Sequence, residues 1–266
     1  MKFKAIFLDV DGTLLSSQRT ILPSTKTILS QLHQQGVLIT VVTARPPDAT
    51  WLIFKQLEMS DNPIICFNGG LIEHQNKFIA DYSISATMVQ QIKEAIQHFD
   101  INFTLYHYRD WLVEKIDGMV QRESDVTATK ISVVNFNEEK IKQLNIHKIL
   151  CMGDPSQIEQ AEAFLKFEKI FPINLNRSKS TYLEIVHQHA SKMLGVKKVM
   201  ELYGLTNNEI ITIGDYYNDI DMLQFAKTSI AMGNAPDDVK KYATIVTDTN
   251  NNDGIAKALT TLLFNK

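Results

Sequence analysis

Short apolar runs alternate with helical patterns near both ends of the chain, and each run stops at a small or polar residue. The runs cover residues 4–8, 37–42, 63–67, 210–213 and 228–232. Segments that are apolar at almost every position are typical of parallel strands covered on both faces. The carboxyl ends of such strands share one edge of the sheet, where open α/β folds bind their ligands. We therefore expect the polar residues that follow these runs to meet in one place.

The segments between the runs have helical periodicity with matching end signals. Residues 24–35 carry apolar side chains at helical spacing, and Gly36 follows as a stop. Ser191 is placed to cap a helix that ends before Gly204, and residues 253–264 form a closing helix. Strands that alternate with helices need right-handed crossovers. The pattern therefore predicts an α/β fold with a doubly wound, mostly parallel, Rossmann-like core.

The middle of the chain has a different pattern. Its strand-like segments, such as residues 102–108, mix apolar and polar side chains, which is typical of antiparallel, half-exposed strands. Helical patterns lie among them, at residues 86–99, 138–144 and 155–167. We predict an α+β cap domain at residues 83–185, inserted into a discontinuous core domain formed by residues 1–82 and 186–266.

Composition narrows the class of protein. Of the 266 residues, 44% are hydrophobic, and the formal net charge is −3, without the basic surplus of a nucleic-acid binder. No apolar stretch reaches membrane-spanning length, and Asp9 and Asp11 interrupt the apolar start too early for a signal peptide. Cys66 and Cys151 lie inside apolar runs, as buried free thiols do. We expect a cytoplasmic protein, a monomer or a homodimer, without nucleic-acid or membrane partners.

Asp9 and Asp11 follow the first run and are two positions apart, so their side chains can lie on the same side. Alone this is a weak signal, because Asp11 followed by Gly12 is also a common turn. An EF-hand loop fits in neither register. A loop that begins at Asp9 puts Leu14 at the glycine position, and a loop that uses Gly12 as that glycine begins at Phe7.

The other strand ends strengthen a catalytic interpretation. Asp215 and Asp219 follow the run at 210–213, and several carboxylates in one pocket repel one another unless a cation lies among them. Oxygen ligands without a His or Cys cluster favour Mg²⁺. Thr43 offers a hydroxyl, and Lys192 offers charge at the start of a helix, and both suit a phosphoryl group. The set is typical of phosphoryl transfer through an aspartyl-phosphate.

These positions resemble the four motifs of the haloacid dehalogenase superfamily. The matching residues are Asp9-Val10-Asp11-Gly12-Thr13, Thr43, Lys192 and Gly214-Asp215-Tyr216-Tyr217-Asn218-Asp219. Their order is similar to that of the Cof-type phosphatases, in which the cap lies between the second and third motifs. The segments 231–235 and 251–256 are also similar to that subfamily. One departure is Met193, where a glycine often follows the lysine.

The resemblance implies a role for each matching position. Asp9 attacks phosphorus, and Asp11 protonates the leaving oxygen and then activates water. Thr43 and Lys192 hold the transferring group, which makes these four the expected catalytic residues. The expected Mg²⁺ ligands are the carboxylates of Asp9 and Asp215 and the backbone carbonyl of Asp11, with Asp219 as a ligand or as a partner of a metal-bound water. Substrate contacts are expected at Thr13, Arg45, Asn68, Gly69 and Asn218.

Several further residues have less specific interpretations. Arg45 is equally compatible with an exposed surface position, and His187 and His189 are expected to be loop histidines beside the pocket rather than metal ligands. Tyr106 and Trp111 favour packing within the cap. Substrate contacts in the cap are expected around Tyr108, Arg109, Glu123 and Lys130.

The function that follows is Mg²⁺-dependent hydrolysis of small phosphomonoesters, with sugar phosphates ahead of cofactor phosphates such as pyridoxal phosphate or flavin mononucleotide. A second aspartate two residues after the nucleophile favours a phosphate ester, because a halide leaving group needs no acid. Two alternatives stay open: a sugar phosphomutase of the same superfamily, and a non-catalytic protein that binds phosphorylated metabolites.

Overall fold

A computed structural model of the chain describes residues 3–168 and 172–264. The strands of this part of the chain are β1 (Ala5–Leu8), β2 (Leu38–Val42), β3 (Ile64–Cys66), β4 (Leu71–His74), β5 (Lys77–Asp81), β6 (Ile101–His107), β7 (Asp110–Val113), β8 (Ile131–Val133), β9 (Lys148–Gly153), β10 (Ile173–Lys179), β11 (Tyr182–His187), β12 (Ile210–Gly214), β13 (Thr228–Ala231) and β14 (Ile245–Val246). The α-helices are α1 (Pro23–Gln34), α2 (Pro47–Leu57), α3 (Ala86–Ile96), α4 (Gly118–Thr127), α5 (Glu139–Lys142), α6 (Pro155–Glu168), α7 (Lys192–Tyr203), α8 (Ile220–Phe225), α9 (Asp237–Lys240) and α10 (Gly254–Phe264).

The larger sheet has eight strands in the order β14-β13-β12-β1-β2-β3-β4-β5. Neighbouring strands from β14 to β3 are parallel. Within this sheet β1 lies between β12 and β2, and Leu8 aligns with Ile213 on one side and Val41 on the other. The loops that follow β1, β2 and β12 therefore leave the sheet side by side, as the apolar runs predicted.

Both faces of this sheet are covered, which confirms the doubly wound core. Alternate residues of β1 point to opposite faces, because side chains alternate along a strand. Ile6 and Leu8 share a buried cluster with side chains of α1 and α10, among them Leu29, Leu32 and Leu259. Ala5 and Phe7 share a second cluster with side chains of α7, among them Val196 and Val199.

The edge of the core sheet was not predicted. β4 pairs antiparallel with β3, and β5 pairs antiparallel with β4. Gln75 and Asn76 join β4 to β5 with φ values of 50° and 60°, as the two central positions of a tight hairpin turn of the I′ type require. This hairpin carries the chain away from the parallel strands and ends at Asp81, whose side chain bonds to Tyr108, directly after β6 of the second sheet.

The second sheet contains six strands in the order β10-β11-β9-β6-β7-β8, antiparallel except between β7 and β8. One face packs against α3 and α6 in a separate buried cluster. On the other face Tyr106 and Trp111 are fully buried and stacked, with ring centroids 5.4 Å apart. Phe67 of the core lies 5.6 Å from the Tyr106 ring. Tyr106 and Trp111 are therefore packing residues, as expected, but they pack between cap and core rather than within the cap alone.

The predicted domain bounds stay a prediction: the second sheet begins well inside the first bound and ends just outside the second. β6 begins after the bound at residue 83, whereas β11 continues to His187, two residues past the bound at residue 185. No helix in the described part of the chain combines the length and the apolar character that a membrane crossing requires.

Candidate active site

A cavity of about 370 Å³ lies where the carboxyl ends of the parallel strands face the second sheet. Asp9 follows β1, Thr43 follows β2 and Asp215 follows β12, and all three line this cavity. Asp11, Arg45 and Asn218 also line it. The strand ends therefore bring together most of the polar residues that the sequence singled out.

Asp9 and Asp215 line the floor of the cavity, and the fully buried Asp219 lies next to them. One oxygen from each of Asp9, Asp215 and Asp219 lies within 4.8 Å of the others, and all three residues are buried. Burial and the charges of Asp219 and Asp215 raise the pKa of Asp9, although Lys192 acts in the opposite direction. Burial and the charge of Asp219 likewise raise the pKa of Asp215 to about 7. Such a group favours the binding of a cation, because a cation removes the repulsion that raises these pKa values.

Lys192 is the positively charged side chain that contacts these carboxylates. It is the first residue of α7, whose N-terminus is capped by the Ser191 hydroxyl. Its ammonium donates to Asp9 Oδ1 at 2.5 Å and to Asp219 Oδ1 at 2.6 Å, and the side chain is 1% exposed. Burial lowers the pKa of Lys192, but Asp219 and Asp9 raise it above its ordinary value, so the group stays charged. Lys192 thus holds the nucleophile candidate Asp9 and a neighbouring acid in fixed positions.

Asp219 is more fully bound than the other two acids. Its Oδ2 accepts from the backbone amides of Asp215 and Tyr216, both at 2.9 Å, while its Oδ1 accepts from Lys192. The side chain is completely buried, and a Cβ placed on Gly214 would lie 2.6 Å from it. Asp219 therefore positions Lys192 and the Asp215 loop, and its expected role as a metal ligand stays a prediction.

The residues around Asp215 fit a hard cation such as Mg²⁺. Thr13 donates its hydroxyl to Asp215 Oδ1 at 2.7 Å, and Asn234 lies 3.3 Å from Oδ2. These bonds orient the carboxylate, as outer partners of a metal ligand do. The donors available at the floor are oxygens, which Mg²⁺ prefers. Gly12, at φ +84°, is needed here, because an added Cβ would lie 2.2 Å from Asp215 Oδ2.

Thr13 differs from its expected role. It was predicted to contact substrate, but it is 1% exposed and its hydroxyl is bound to Asp215. Asn234 was not predicted as a site residue, although the similarity of segment 231–235 had marked its neighbourhood. Its amide joins Asp215 to the carbonyl of Gly12, at 2.9 Å, and so ties the β13 loop to the first motif.

Asp11 points away from the three carboxylates and towards Arg45. Arg45 donates from Nε at 2.7 Å and from Nη2 at 2.6 Å, one bond to each oxygen of Asp11. Burial raises the pKa of Asp11, but Arg45 more than offsets it and the pKa lies below its usual value. Arg45 is 8% exposed, so its alternative interpretation as a surface arginine is wrong. Asp11 is a carboxylate in this arrangement.

Thr43 is positioned by the backbone of the β2 loop. Its hydroxyl accepts from the backbone amide of Arg45 at 3.1 Å. The hydroxyl proton is therefore free to point into the cavity that Thr43 lines. This is the arrangement expected of a donor to a phosphoryl oxygen.

Asn68 and Gly69 lie beneath the cavity rather than in it. Asn68 is 1% exposed, donates to Glu184 Oε2 at 2.9 Å and accepts from Asn218 at 3.1 Å. Gly69 packs so closely on the start of α7 that an added Cβ would lie 2.2 Å from the Ser191 carbonyl oxygen. Their expected substrate contacts are therefore replaced by structural ones, because the β3 end is covered by β11 of the cap. Asn218 reaches the cavity and is held by Asn68.

The upper wall of the cavity comes from the cap. Its charged and polar residues are Arg122, Glu123, Lys148, Ser178, Lys179, Tyr182 and Glu184. Among the cap residues that the sequence proposed, Glu123 lines this wall. Tyr108, Arg109 and Lys130 do not. Lys148 and Glu184 could not be found from sequence, because nothing in a strand pattern shows which strand faces the core.

Tyr108 and Arg109 instead join the cap to the edge of the core. The Tyr108 hydroxyl donates to Asp81 at 2.6 Å, and Arg109 binds both oxygens of the buried Glu73 at 2.7 Å. Arg109 also bonds to Asp48. These contacts fix how the cap sits on the unpredicted β4–β5 hairpin.

His187 and His189 are outside the group of residues that could hold a metal within the described chain. Their rings lie beside Tyr82, each with its centroid 6.2 Å from that ring. Neither histidine lines the cavity.

A family model, sequence relatives and solved structures all indicate the same protein family. A family model described as haloacid dehalogenase-like hydrolase matches residues 6–259. The chain is 30% identical to the pyridoxal phosphate phosphatase YbhA of Escherichia coli, over 97% of both proteins. It is 28% identical to the 5-amino-6-(5-phospho-D-ribitylamino)uracil phosphatase YitU of Bacillus subtilis, over 96% of this chain and 95% of YitU. A solved haloacid dehalogenase-like hydrolase from Bacteroides thetaiotaomicron superposes with a TM-score of 0.89 and 30% identity, covering 98% of this chain and all of that one.

Proposed function

The chain belongs to the haloacid dehalogenase-like hydrolase family and is a phosphatase, and we propose that it hydrolyses small phosphomonoesters with Asp9 as nucleophile and Mg²⁺ as cofactor. The family agrees with the resemblance carried by the four motifs. The observation that carries the proposal is the floor of the cavity, where Asp9 lies among Lys192, Asp215 and Asp219.

Asp9 is the residue best placed to attack phosphorus. It follows the central strand β1, lines the cavity and is held through Oδ1 by Lys192, so its direction of approach is fixed. The hydroxyl proton of Thr43 is free to point into the same cavity. Fixed donors at the positions where charge develops lower the barrier without reorganising during the reaction. Attack by Asp9 would release the alcohol and leave an aspartyl-phosphate, which water then hydrolyses.

The floor fits Mg²⁺ through the carboxylates of Asp9 and Asp215. When bound, the ion would neutralise negative charge on the transferring phosphoryl group. Thr13 and Asn234 hold Asp215 in place for this contact, and Lys192 keeps Asp9 and Asp219 from repelling each other.

Asp11 supplies the acid–base chemistry in this proposal. As the carboxylate held by Arg45, it is in the form that takes a proton from the water attacking the aspartyl-phosphate. Protonating the leaving oxygen requires Asp11 to carry a proton and therefore to release Arg45. Arg45 would then be free to bind the phosphoryl group, its expected substrate contact.

The cap wall decides which leaving group is accepted. It carries charged and polar side chains above the floor, which suits hydroxylated and charged metabolites, so we propose sugar phosphates first and cofactor phosphates second. YbhA is named a pyridoxal phosphate phosphatase and YitU a 5-amino-6-(5-phospho-D-ribitylamino)uracil phosphatase, so both names give small phosphorylated metabolites as substrates. We further propose the cytoplasm as the site of action, with the buried thiols Cys66 and Cys151 unpaired.

The test is release of inorganic phosphate from p-nitrophenyl phosphate and from a panel of sugar and cofactor phosphates with Mg²⁺. Turnover without added sugar bisphosphate supports the hydrolase. A strict requirement for a bisphosphate activator, with phosphate passed to a sugar, would identify the phosphomutase instead. Absence of phosphate release from every compound, by folded protein with Mg²⁺, would overturn the proposal.

A further inference from the structure

Most cations around the cavity are bound by the protein itself. Each of three has an acidic or carbonyl partner: Arg45 with Asp11, Lys179 with Glu123 at 3.4 Å, and Lys148 with the Ala44 carbonyl at 2.8 Å and Glu184 at 3.7 Å. A fourth, Lys192, is buried between two carboxylates of the floor. Their charges are therefore already compensated before a substrate enters.

Arg19 and Arg122 are different. Both line the cavity and both are exposed, yet neither guanidinium has a hydrogen bond or an ion pair with a side chain or carbonyl in residues 3–168 and 172–264. Arg19 belongs to the loop after β1, in the core. Arg122 belongs to α4, in the cap. The two free guanidinium groups thus approach one cavity from its two domains.

The backbones that carry these arginines are well defined, although the side chains are free. The Arg19 amide donates to the Ser16 carbonyl at 2.8 Å, and the Ser16 amide donates to the Thr20 carbonyl at 2.9 Å, which closes a turn at φ +58°. Asp117 caps α4 by accepting from two backbone amides, so Arg122 lies on a regular helix beside Glu123, which also lines the cavity. Both arginines are therefore held at the cavity without being used by the fold.

The transferring phosphate does not need them. In the proposed reaction that group lies at the floor, next to Asp9, Thr43 and Lys192. We propose that Arg19 and Arg122 bind a second anionic group on the substrate, a carboxylate or a second phosphate carried by the leaving group. Guanidinium suits both anions, because its planar donors match two oxygens at once and it cannot lose its charge. This inference rests on the proposed function and narrows its substrate class to phosphomonoesters with a further negative charge.

The test uses substrates that differ in that charge alone. 6-Phosphogluconate and sorbitol 6-phosphate have the same six-carbon chain and phosphate, but one ends in a carboxylate and the other in a hydroxymethyl group. Fructose 1,6-bisphosphate and fructose 6-phosphate make the same comparison for a second phosphate. We expect kcat/KM to favour the member with the extra anion in at least one pair by about tenfold or more, the usual size of one charge-assisted contact.

The variants Arg19→Gln and Arg122→Gln should each remove most of that preference. KM for the doubly anionic substrate should rise about tenfold. Its kcat, and both constants for the singly anionic substrate, should change by less than about twofold, because the contact is remote from phosphorus. Arg122→Lys should restore part of the preference, since it keeps the charge but not the fork of donors. Lys130→Gln is the matched control, because it removes one exposed cap charge that does not line the cavity.

The outcomes separate this inference from the proposed function. An equal loss for both members of a pair would mean that the arginines attract any anion by long-range steering, which overturns the assignment. No preference in the unaltered protein would overturn it as well, while activity on p-nitrophenyl phosphate would leave the phosphatase proposal standing. No activity on any substrate would instead reject the proposed function.

Discussion

The floor and the cap wall of the cavity differ in how far their side chains are buried and hydrogen-bonded. The acids of the floor are almost fully buried, with Asp9 at 6%, Asp215 at 7% and Asp219 at 0% exposed, and each is held by a named donor. In the cap wall Lys148 and Glu184 are buried as well, but Lys179 is 50% exposed, and the exposed Arg122 has no side-chain hydrogen bond or ion pair within residues 3–168 and 172–264. A buried, fully bonded group has one geometry, whereas exposed long side chains can adjust to what they meet.

This difference has a functional meaning. In the proposed reaction the floor would meet the phosphoryl group and the metal, which are common to all phosphomonoesters. The wall would meet the leaving group, which varies from one substrate to the next. We therefore expect changes at the floor to lower activity on all substrates alike, and changes in the cap to alter substrate preference. The predictions below test this division, beginning with the largest effect.

Asp9→Asn should abolish turnover on every substrate, by more than about 10⁴-fold, because the amide keeps the size of the side chain but removes the attacking charge. Phosphate release from p-nitrophenyl phosphate and from two sugar phosphates measures it. Asp237→Asn is the matched control, since that carboxylate is 95% exposed and remote from the cavity. Substantial activity in folded Asp9→Asn protein would reject the covalent mechanism.

Chelation should remove activity on every substrate, Mg²⁺ should restore it and Ca²⁺ should restore it poorly. Mg²⁺ holds a tight octahedral shell, whereas Ca²⁺ takes more ligands at longer distances. Mg²⁺ should also raise the melting temperature, because an ion bound among Asp9 and Asp215 stabilises the folded state. Full activity in excess chelator would contradict the assignment of a metal to the floor.

Asp11→Asn should lower kcat by about 10² to 10⁴, the usual contribution of acid–base catalysis. The loss should be smaller than for Asp9→Asn. In kcat/KM, which reports formation of the aspartyl-phosphate, it should be larger for alkyl phosphates than for p-nitrophenyl phosphate, whose leaving group needs little protonation. Rapid-quench measurement should detect the phosphorylated protein, because its hydrolysis is slowed. Equal losses of kcat/KM for alkyl and aryl substrates would argue against Asp11 as the acid.

Thr13→Val should weaken Mg²⁺ binding by about 10- to 100-fold, with a small effect on kcat at saturating metal, because the hydroxyl orients a metal ligand and touches no substrate. A titration of activity with Mg²⁺ measures this. Thr261→Val serves as control, since its hydroxyl bonds to a helix carbonyl at the surface. An increase in KM for substrate with unchanged metal affinity would instead support the original prediction that Thr13 contacts substrate.

Exchange of the predicted cap, residues 83–185 extended to the end of β11 at residue 187, for that of a related phosphatase should have the smallest effect on hydrolysis of p-nitrophenyl phosphate, less than about tenfold. The order of preference among the other substrates should change. The small effect is expected because the floor stays intact and an aryl phosphate uses little of the wall. Circular dichroism and melting temperature provide the folding check. A substrate profile that stayed with the core would contradict the division between floor and wall.

The sequence indicated the floor well and the wall poorly, for identifiable reasons. Asp9, Thr43 and Asp215 each follow an apolar run that pairs in a parallel sheet, so local pattern sufficed to predict that they meet. Lys148 and Glu184 lie in cap strands whose residues are mixed in polarity. Which of their side chains would face the core depended on sheet order and register, for which the sequence carries no local signal.

The sequence by itself determined the doubly wound core, the helix ends at Gly36 and Gly204, and the convergence of polar residues at one sheet edge. These follow from periodicity and from turn chemistry, which act over a few residues. Tertiary structure decided the partners within the site. Arg45 bound Asp11, Thr13 turned to Asp215, and Asn68 reached Glu184 across the domain contact. Such pairings are set by distances between segments far apart in the chain, because a buried polar group bonds to whichever partner the fold brings near.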